Sequence, residues 1–345
     1  MATIYDVARL AGVSPKTVSR VLNNDAPVKE VTRREVEKAI AQLGYVPSSA
    51  ARTMRSHRSG LIGVITGAVS HVSEEAEERG LPDMFLVQGA QQVVAETGKT
   101  LIIADTGDKA DRVSDLIRTF MQYRVEGVLY VAEHHQRVDL TGLHADFPLV
   151  LLNCFDDEGT PAVVPDDEAG QYELTKKIIA SGHRRIGYLT LPENIVATRL
   201  RLNGYKAALA EAGIAYDERL VVTGYTDRSN RSSDLLCAIN KILNQTQQPT
   251  VLCCGNDEMA LRVYGMLRTR GIKVPEDISV AGYDNYRLVT ETLFPPLSSA
   301  ELPYTQMGRQ AAQMLLQMIE GKELPPVNPV RVSGAVFWRD SVLGH

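Results

Sequence analysis

The stretch "VARLAGVSPKTVSRVLNN" (residues 7–24) holds two short apolar runs at helical spacing on either side of "GVS". In residues 4–11, apolar side chains stand at the i, i+3, i+4 and i+7 positions of a helix. Gly12 ends this helix. Ser14 followed by Pro15 signals a new one, because Ser caps free amide groups and Pro fits the first turn. The stretch therefore predicts two short helices joined by a tight turn.

Basic side chains are concentrated at this end of the chain, although all 345 residues together carry a net charge of −5. Residues 1–59 hold ten Lys or Arg and five Asp or Glu, a net charge of +5 that leaves −10 for the rest. A basic segment on an acidic body favours contact between that segment and a polyanion. From charge alone, a solvated terminal domain is an equally good interpretation.

A third helix is predicted after the first two, and a linker follows it. Residues 31–43 carry apolar side chains at helical spacing, and Gly44 provides an end signal. The next segment, "YVPSSAARTMRSHRSG" (residues 45–60), is small and basic and has almost no apolar face. A helix this short is unstable alone in water, so we expect a linker that orders against a partner.

From residue 61 onward, short apolar runs alternate with amphipathic helical stretches. The runs are "LIGVI" (61–65), "TLIIA" (100–104), "GVLYVA" (127–132), "LVLLN" (149–153), "RIGYLT" (185–190), "TVLCCG" (250–255) and "ISVAGY" (278–283). Near-continuous Val, Ile and Leu runs between helices are typical of parallel strands buried on both faces. The body is therefore predicted to be doubly wound α/β, and it is long enough for two subdomains. The acidic run at residues 73–83 is predicted to be a solvated loop or helix.

Several classes of protein are disfavoured. No apolar run reaches the roughly 18 residues of a membrane span, and the N-terminus lacks the apolar core of a secretory signal. The four cysteines show no metal-ligand spacing, which fits reduced thiols of a cytoplasmic protein. His134 and His135 lack a third ligand, and Cys253 and Cys254 lack a histidine base. We therefore expect no metal, no cofactor, no catalytic residue and no enzyme activity.

Six segments in the same order resemble the lactose-repressor/galactose-repressor (LacI) family of bacterial transcription regulators. They are "TIYDVARLAGVSPKTVSRVLNN", "LGYVPSSAARTMRSHRSGLIGVI", "SGHRRIGYL", "RLRLNGY", "GNDEMALRVYGML" and "DISVAGYDN". The resemblance as a whole runs from Thr3 to about Trp338. The resemblance implies an all-α helix-turn-helix head and an α/β body of two doubly wound parallel-sheet lobes, similar to a periplasmic binding protein.

The resemblance also implies domain boundaries. The DNA-binding domain is expected at residues 1–46, the hinge helix and linker at 47–60, and the effector-binding and dimerisation domain at 61–345. In such a body the chain crosses between the lobes three times. The N-lobe is expected at about 61–158 and 290–319, and the C-lobe at about 159–289 and 320–340.

For DNA contacts, the resemblance points to the second helix, whose N-terminal residues meet base edges in the major groove. Arg20 suits a bidentate contact with guanine, and Lys16 suits a base or a phosphate. In the hinge, Met54 stands where the family usually has a Leu that wedges into the minor groove. The expected DNA-binding residues are Tyr5, Ser14, Pro15, Lys16, Thr17, Arg20, Asn23, Ser48, Ala51 and Met54.

Ligands of open α/β sheets bind beyond the carboxyl ends of the strands, where this chain carries polar residues. Arg201 matches an effector-binding Arg of the family, and Asn256 and Asp284 follow two of the strands. Asp257 is expected to cap the helix after it. The expected effector-binding residues are Arg201, Asn256 and Asp284, with Asp166, Phe155 and Tyr304 as weaker candidates. The loop after the first strand lacks the family's Asn-Pro, so the ligand's identity is not carried over.

The expected function is a cytoplasmic homodimer that represses a carbohydrate-utilisation operon and leaves a pseudo-palindromic operator when a small sugar-like effector binds. Three alternatives stay open. The ligand can instead act as a corepressor. The body can belong to a solute-binding protein without DNA function, or to a sugar-acting enzyme. The basic head and the lack of a secretory signal argue against the solute-binding protein. The lack of paired carboxylates, or of a nucleophile with its base, argues against the enzyme.

Overall fold

The computed structural model describes residues 2–23, 27–46, 58–67, 81–107, 109, 112–140, 147–225 and 231–345. The chain divides into two compact units, Met1–Gly60 and Leu61–His345. The second unit begins at residue 61, where the alternation of apolar runs and amphipathic helical stretches begins in the sequence.

The first unit contains the three predicted helices, which are α1 (Ile4–Leu10), α2 (Pro15–Asn23) and α3 (Glu30–Leu43). The Ser14 hydroxyl accepts a hydrogen bond from the Thr17 amide at 3.2 Å, which makes Ser14 the cap that its position predicts. Lys29 precedes α3 without a side-chain capping bond. The three helices enclose a small apolar core of Val7, Ala8, Val18, Val21, Val36 and Ala39.

The second unit contains two six-stranded sheets, as the doubly wound prediction requires. The first has the strand order β11-β5-β4-β3-β1-β2 and the second has the order β12-β10-β9-β8-β6-β7. The strands are β1 (Leu61–Thr66), β2 (Thr100–Asp105), β3 (Gly127–Arg137), β4 (Leu149–Phe155), β5 (Ala162–Pro165), β6 (Ile186–Thr190), β7 (Val221–Thr223), β8 (Val251–Cys254), β9 (Ser279–Asp284), β10 (Ser298–Glu301), β11 (Val330–Val332) and β12 (Val336–Phe337). Neighbouring strands pair in parallel, except that β12 is antiparallel to β10.

Helices pack on both faces of each sheet. They are α4 (Leu81–Glu96), α5 (Val113–Gln122), α6 (Asp167–Ala180), α7 (Val196–Glu211), α8 (Arg231–Leu243), α9 (Asp257–Thr269), α10 (Arg287–Thr290) and α11 (Tyr304–Ile319). Helices α4 and α11 share one apolar core with the first sheet, and α6 and α7 share another with the second. Each sheet with its helices forms one lobe, called here the N-lobe and the C-lobe.

The expected lobe boundaries are wrong at three strands, although the number of crossings agrees. Strand β5, placed in the C-lobe from sequence, hydrogen-bonds to β4 and lies in the N-lobe sheet. Strand β10, placed in the N-lobe, pairs with β9 of the C-lobe sheet, and β11 pairs with β5 of the N-lobe sheet. The chain therefore crosses after residues 165, 301 and 332. These strands have only three or four residues each, too few to show a period.

Two glycines allow α4 and α11 to pack against each other at backbone distance. A β-carbon on Gly308 would lie 2.0 Å from the carbonyl oxygen of Leu86, and one on Gly89 would lie 2.1 Å from that of Thr305. No other residue fits at either position without moving a helix. This contact fixes how α4 meets the rest of the N-lobe.

Substituting Gly308→Ala is expected to lower the free energy of unfolding by roughly 1–3 kcal/mol, because the added methyl overpacks the contact between α4 and α11. The matched control is Gly265→Ala in the interior of α9, where a β-carbon meets nothing within 4 Å. That change is expected to stabilise the chain by roughly 0.5–1 kcal/mol. Urea unfolding measures both, and equal stabilisation by the two would contradict the close helix contact.

Candidate functional site

The exposed face of α2 carries the two basic residues that the sequence assigns to base contacts. Lys16 and Arg20 are both exposed and lie one helical turn apart, so they project from the same face. On the opposite face, Val18 and Val21 are buried against α1 and α3. The helix is thereby held by its apolar side, and its basic side is presented to solvent.

The other expected DNA-binding residues of the head lie on α1, on α2 or directly before α2. Tyr5 on α1 is 67% exposed. The hydroxyls of Ser14 and Thr17 are 2.9 Å apart and hydrogen-bond to each other. The Asn23 side-chain amide donates to the backbone oxygen of Ser19 at 2.7 Å. Pro15 is half-buried at the start of α2. Ser48, Ala51 and Met54 lie outside the described residues, as do residues 73–80 of the acidic run.

In the second unit, a cavity of about 1310 Å³ is lined by residues of both lobes. From the C-lobe, Asn256 and Asp284 reach it at the ends of β8 and β9. From the N-lobe, Tyr304, Phe85 and Arg309 line it. The structure thus brings together three of the six expected effector-binding residues, and it does so at the carboxyl ends of the strands.

Asp284 is the polar group of this cavity with the most distinctive environment. Its backbone φ is +114°, which is strained for a residue with a side chain. Its carboxylate has no hydrogen-bond partner among the described residues. Burial raises the pKa of Asp284 well above its ordinary value, although the nearby Arg201 opposes this shift. Asp284 is therefore a hydrogen-bond acceptor held ready at the cavity wall.

The helix after β8 is capped by Asn256, and the expectation that Asp257 caps it is wrong. The Asn256 side-chain oxygen accepts from the Met259 amide at 2.9 Å. The side chain of Asp257 instead accepts from the Ser299 hydroxyl and the Tyr286 amide, both at 2.7 Å. Burial raises the pKa of Asp257 to about 7 despite these two hydrogen bonds.

Arg201 lies behind the cavity instead of on its surface. Its side chain is 4% exposed, and its Nε donates to the Asp167 carboxylate at 2.7 Å. One terminal nitrogen donates to the Gly255 carbonyl at 2.6 Å, and the guanidinium stacks on the Tyr283 ring at 3.7 Å from its centroid. Gly255 and Tyr283 directly precede Asn256 and Asp284, so Arg201 braces the backbone that carries both.

Asp166 and Phe155, two of the three weaker candidates, do not line the cavity. Asp166 caps α6 by accepting from the Ala169 amide at 3.4 Å, and it also accepts from the Ser333 hydroxyl at 3.2 Å. Phe155 packs edge-on against His135 at a centroid distance of 5.8 Å. Each side chain is used by a local contact that sequence position does not reveal.

His135 and Asp167 were missed as partners of the site. His135 Nδ1 is 2.7 Å from the Asp167 carboxylate, and both side chains are buried. The buried Arg201 and His135 hold the pKa of Asp167 below its ordinary value and outweigh the effect of burial. The paired residues are 32 positions apart on different lobes, so no spacing rule connects them.

Comparison with known proteins follows the same division of the chain. Residues 3–48 match the model of bacterial regulatory proteins of the lacI family, and residues 175–342 match a periplasmic binding protein-like domain. The "HTH-type transcriptional repressor PurR" of Vibrio atlanticus (strain LGP32) is 34% identical over 94% of this chain and 93% of its own. The "HTH-type transcriptional regulator GalR" of Escherichia coli (strain K12) is 34% identical over 96% and 93%.

Solved structures show the same architecture over nearly the whole chain. The Lac repressor dimer bound to operator and the anti-inducer ONPF has a TM-score of 0.79 at 26% identity and covers 99% of each chain. A complex of the transcriptional regulator CelR with cellobiose has a TM-score of 0.66 at 30% identity, covering 99% of this chain and 100% of that one.

The head, the two-lobed body and these relatives define a DNA-binding transcription repressor. The chain belongs to the lacI family of bacterial regulatory proteins. None of its described helices is both long and apolar enough to cross a membrane.

The raised pKa of Asp257 predicts a pH effect on stability. The folded state holds the proton more tightly than the unfolded chain, whose carboxyl has the ordinary value of 3.8. The free energy of unfolding therefore falls as the pH rises from about 4 to about 7, by at most about 1.4 kcal/mol per pH unit for this group.

Asp257→Asn is expected to flatten this fall, because the amide does not titrate and still matches both partners. Its oxygen can accept from the Tyr286 amide, and its nitrogen can donate to the Ser299 hydroxyl. Urea unfolding between pH 4 and pH 8 measures the slope, with Asp115→Asn on the exposed side of α5 as control. An unchanged slope in Asp257→Asn would show that this carboxyl is charged throughout.

Proposed function

We propose that this repressor binds a pseudo-palindromic operator as a homodimer and leaves it when a small, hydroxyl-rich, sugar-like effector enters the cavity between its lobes. The controlled genes are proposed to serve carbohydrate use. The protein acts in the cytoplasm and needs no catalytic step. The observation that carries the effector assignment is Asp284, a half-buried residue with a strained backbone whose carboxylate has no hydrogen-bond partner among the described residues.

The head supports operator contact through α2. Lys16 and Arg20 project together from a helix whose other face is fixed in the core, which is the arrangement that reads base edges in a major groove. The guanidinium of Arg20 can donate two hydrogen bonds to one guanine. Ser14, Thr17, Asn23 and Tyr5 offer the polar groups that commonly contact phosphates and fix the register.

The cavity supports a polyhydroxylated ligand. Asp284 and Asn256 supply acceptors and donors for hydroxyl groups from one lobe, and the rings of Tyr304 and Phe85 offer apolar faces from the other. One relative is named for a sugar: the "Ribose operon repressor" of Haemophilus influenzae, which is 32% identical over 93% of this chain. A ligand that touches both lobes has different contacts when the lobes move, which is what regulation requires.

Dimer formation is supported by large apolar side chains on the C-lobe surface. Phe294 is 93% exposed, and Leu288 and Leu261 are also exposed. Two heads on a twofold axis read two half-sites, which agrees with the operator-bound dimer among the structural relatives. Sedimentation equilibrium that finds only monomers at micromolar concentration would contradict this proposal.

Arg20→Ala is expected to weaken binding to a duplex selected in vitro from random sequence, and to remove discrimination at one base pair of each half-site. The loss of discrimination should be roughly 1–3 kcal/mol per bidentate contact. Fluorescence anisotropy at fixed salt measures it, with Arg34→Ala on α3 as control, since Arg34 already pairs with Glu30. Equal discrimination in the Arg20 variant would remove Arg20 from base readout.

Asp284→Asn is expected to lower effector affinity by roughly tenfold or more, because an amide nitrogen, which cannot accept a hydrogen bond, replaces one of the two carboxyl oxygens. The ligand is first found by thermal shift against sugars and sugar acids, and affinity is then measured by calorimetry. Glu291→Gln serves as control, because Glu291 lines the same cavity but already pairs with Arg287. Equal losses in both variants would contradict the role of Asp284.

Adding the ligand to the operator titration decides its direction of action. Weaker operator binding with ligand present supports the proposed release. Stronger binding would show a corepressor and overturn that part of the proposal.

A further inference from the structure

One buried carboxylate joins the two lobes. Asp167, the first residue of α6 in the C-lobe, has its side chain completely buried. One of its oxygens accepts from Arg201 of the C-lobe, and the other faces His135 Nδ1 of the N-lobe, both at 2.7 Å. Since an ionised carboxylate only accepts, Nδ1 of His135 carries the hydrogen. The second bond exists only while the lobes keep this relative position.

His135 reaches Asp167 because β3 is irregular at this point. The pairing of β3 with β4 shifts register between Val131 and Gln136, so that residues 132–135 stand opposite Asn153 alone. Asn153 has a φ of +62°, and its side chain donates to the Ala132 carbonyl at 3.0 Å, which holds the extra residues in place. Bulges of this kind redirect a side chain at a functional position.

The contact leads directly to the cavity wall. Arg201, which shares Asp167 with His135, is bonded to the Gly255 carbonyl and stacked on Tyr283. The next residues along the chain, Asn256 and Asp284, line the cavity. The Tyr283 hydroxyl also donates to the Asp167 backbone oxygen at 3.3 Å. A shift of His135 therefore changes the support of both cavity residues.

We propose that His135 is a positioning residue that couples the orientation of the lobes to the effector cavity through Asp167 and Arg201. His135 itself does not contact the ligand. Its hydrogen bond favours the lobe arrangement in which Asn256, Asp284 and Tyr304 share one cavity. The meaning of this coupling for gene control rests on the proposed function, but the coupling itself can be measured without ligand or DNA.

The test measures the distance between the lobes by double electron–electron resonance. One spin label is placed on Cys237, the exposed cysteine of α8 in the C-lobe, and the other on Arg118→Cys, an exposed position of α5 in the N-lobe. The other three cysteines are buried and escape labelling. Dilution with unlabelled chain removes distances between the copies of a dimer.

Three substitutions at His135 separate the hydrogen bond from packing. His135→Phe keeps a ring without the donor, and His135→Gln keeps polarity but carries its amide at the position of Nε2. Both are expected to shift or broaden the distance distribution. His135→Asn carries an amide nitrogen at the position of Nδ1 and is expected to restore the wild-type distribution.

His183→Phe is the matched control for the loss of a buried histidine. His183 bonds to Thr250 and to the Leu343 carbonyl, both within the C-lobe, so its loss should leave the distances unchanged. Unchanged distributions in folded His135→Phe and His135→Gln would overturn the proposal, and so would an equal change in His183→Phe. Because no effector is present, neither result depends on whether the proposed ligand class is right.

Discussion

The buried carboxylate of Asp167 is the interaction on which the arrangement of the body depends. A charge without solvent is tolerated only when its partners satisfy it, and here they come from both lobes: Arg201 from one and His135 from the other. Losing Arg201 leaves the carboxylate without its counter-charge, and losing His135 leaves one of its two oxygens without a hydrogen-bond donor. The electrostatic requirement of one side chain therefore joins β3 of the N-lobe to α6 and α7 of the C-lobe.

The same need of buried polar groups for partners shapes the cavity. Carboxyl groups are crowded at the ends of β8 and β9, where burial raises the pKa of both Asp257 and Asp284. Asp257 is satisfied by protein donors, whereas Asp284 has none among the described residues. A ligand that donates hydrogen bonds to Asp284 relieves an unfavourable state of the protein. The free protein thus already holds an unpartnered acceptor in position, which favours ligand binding.

The sequence predicts the parts of this molecule that local patterns control. Apolar runs predict the central strands. Ser14 and Pro15 predict the start of α2, and Gly44 predicts the end of α3. The place of Asn256 and Asp284 at the cavity is predictable because residues that follow parallel strands reach one sheet edge. The lobe boundaries fail at β5, β10 and β11, which carry no period. The sequence does not predict the burial of Arg201, because its pairing with Asp167 depends on tertiary contact. It does not predict the position of His135 either, because the β-bulge that directs this side chain has no signature in a single sequence.

Two of the three crossings between the lobes are tied to each other. The Ser333 hydroxyl and the Val332 carbonyl both bond to Asp166, so the crossings after residues 165 and 332 run side by side. Two chain segments joined in this way bend together as one connection. The lobes are therefore connected by this joined pair and by the crossing after residue 301, and any change in their relative orientation bends both connections.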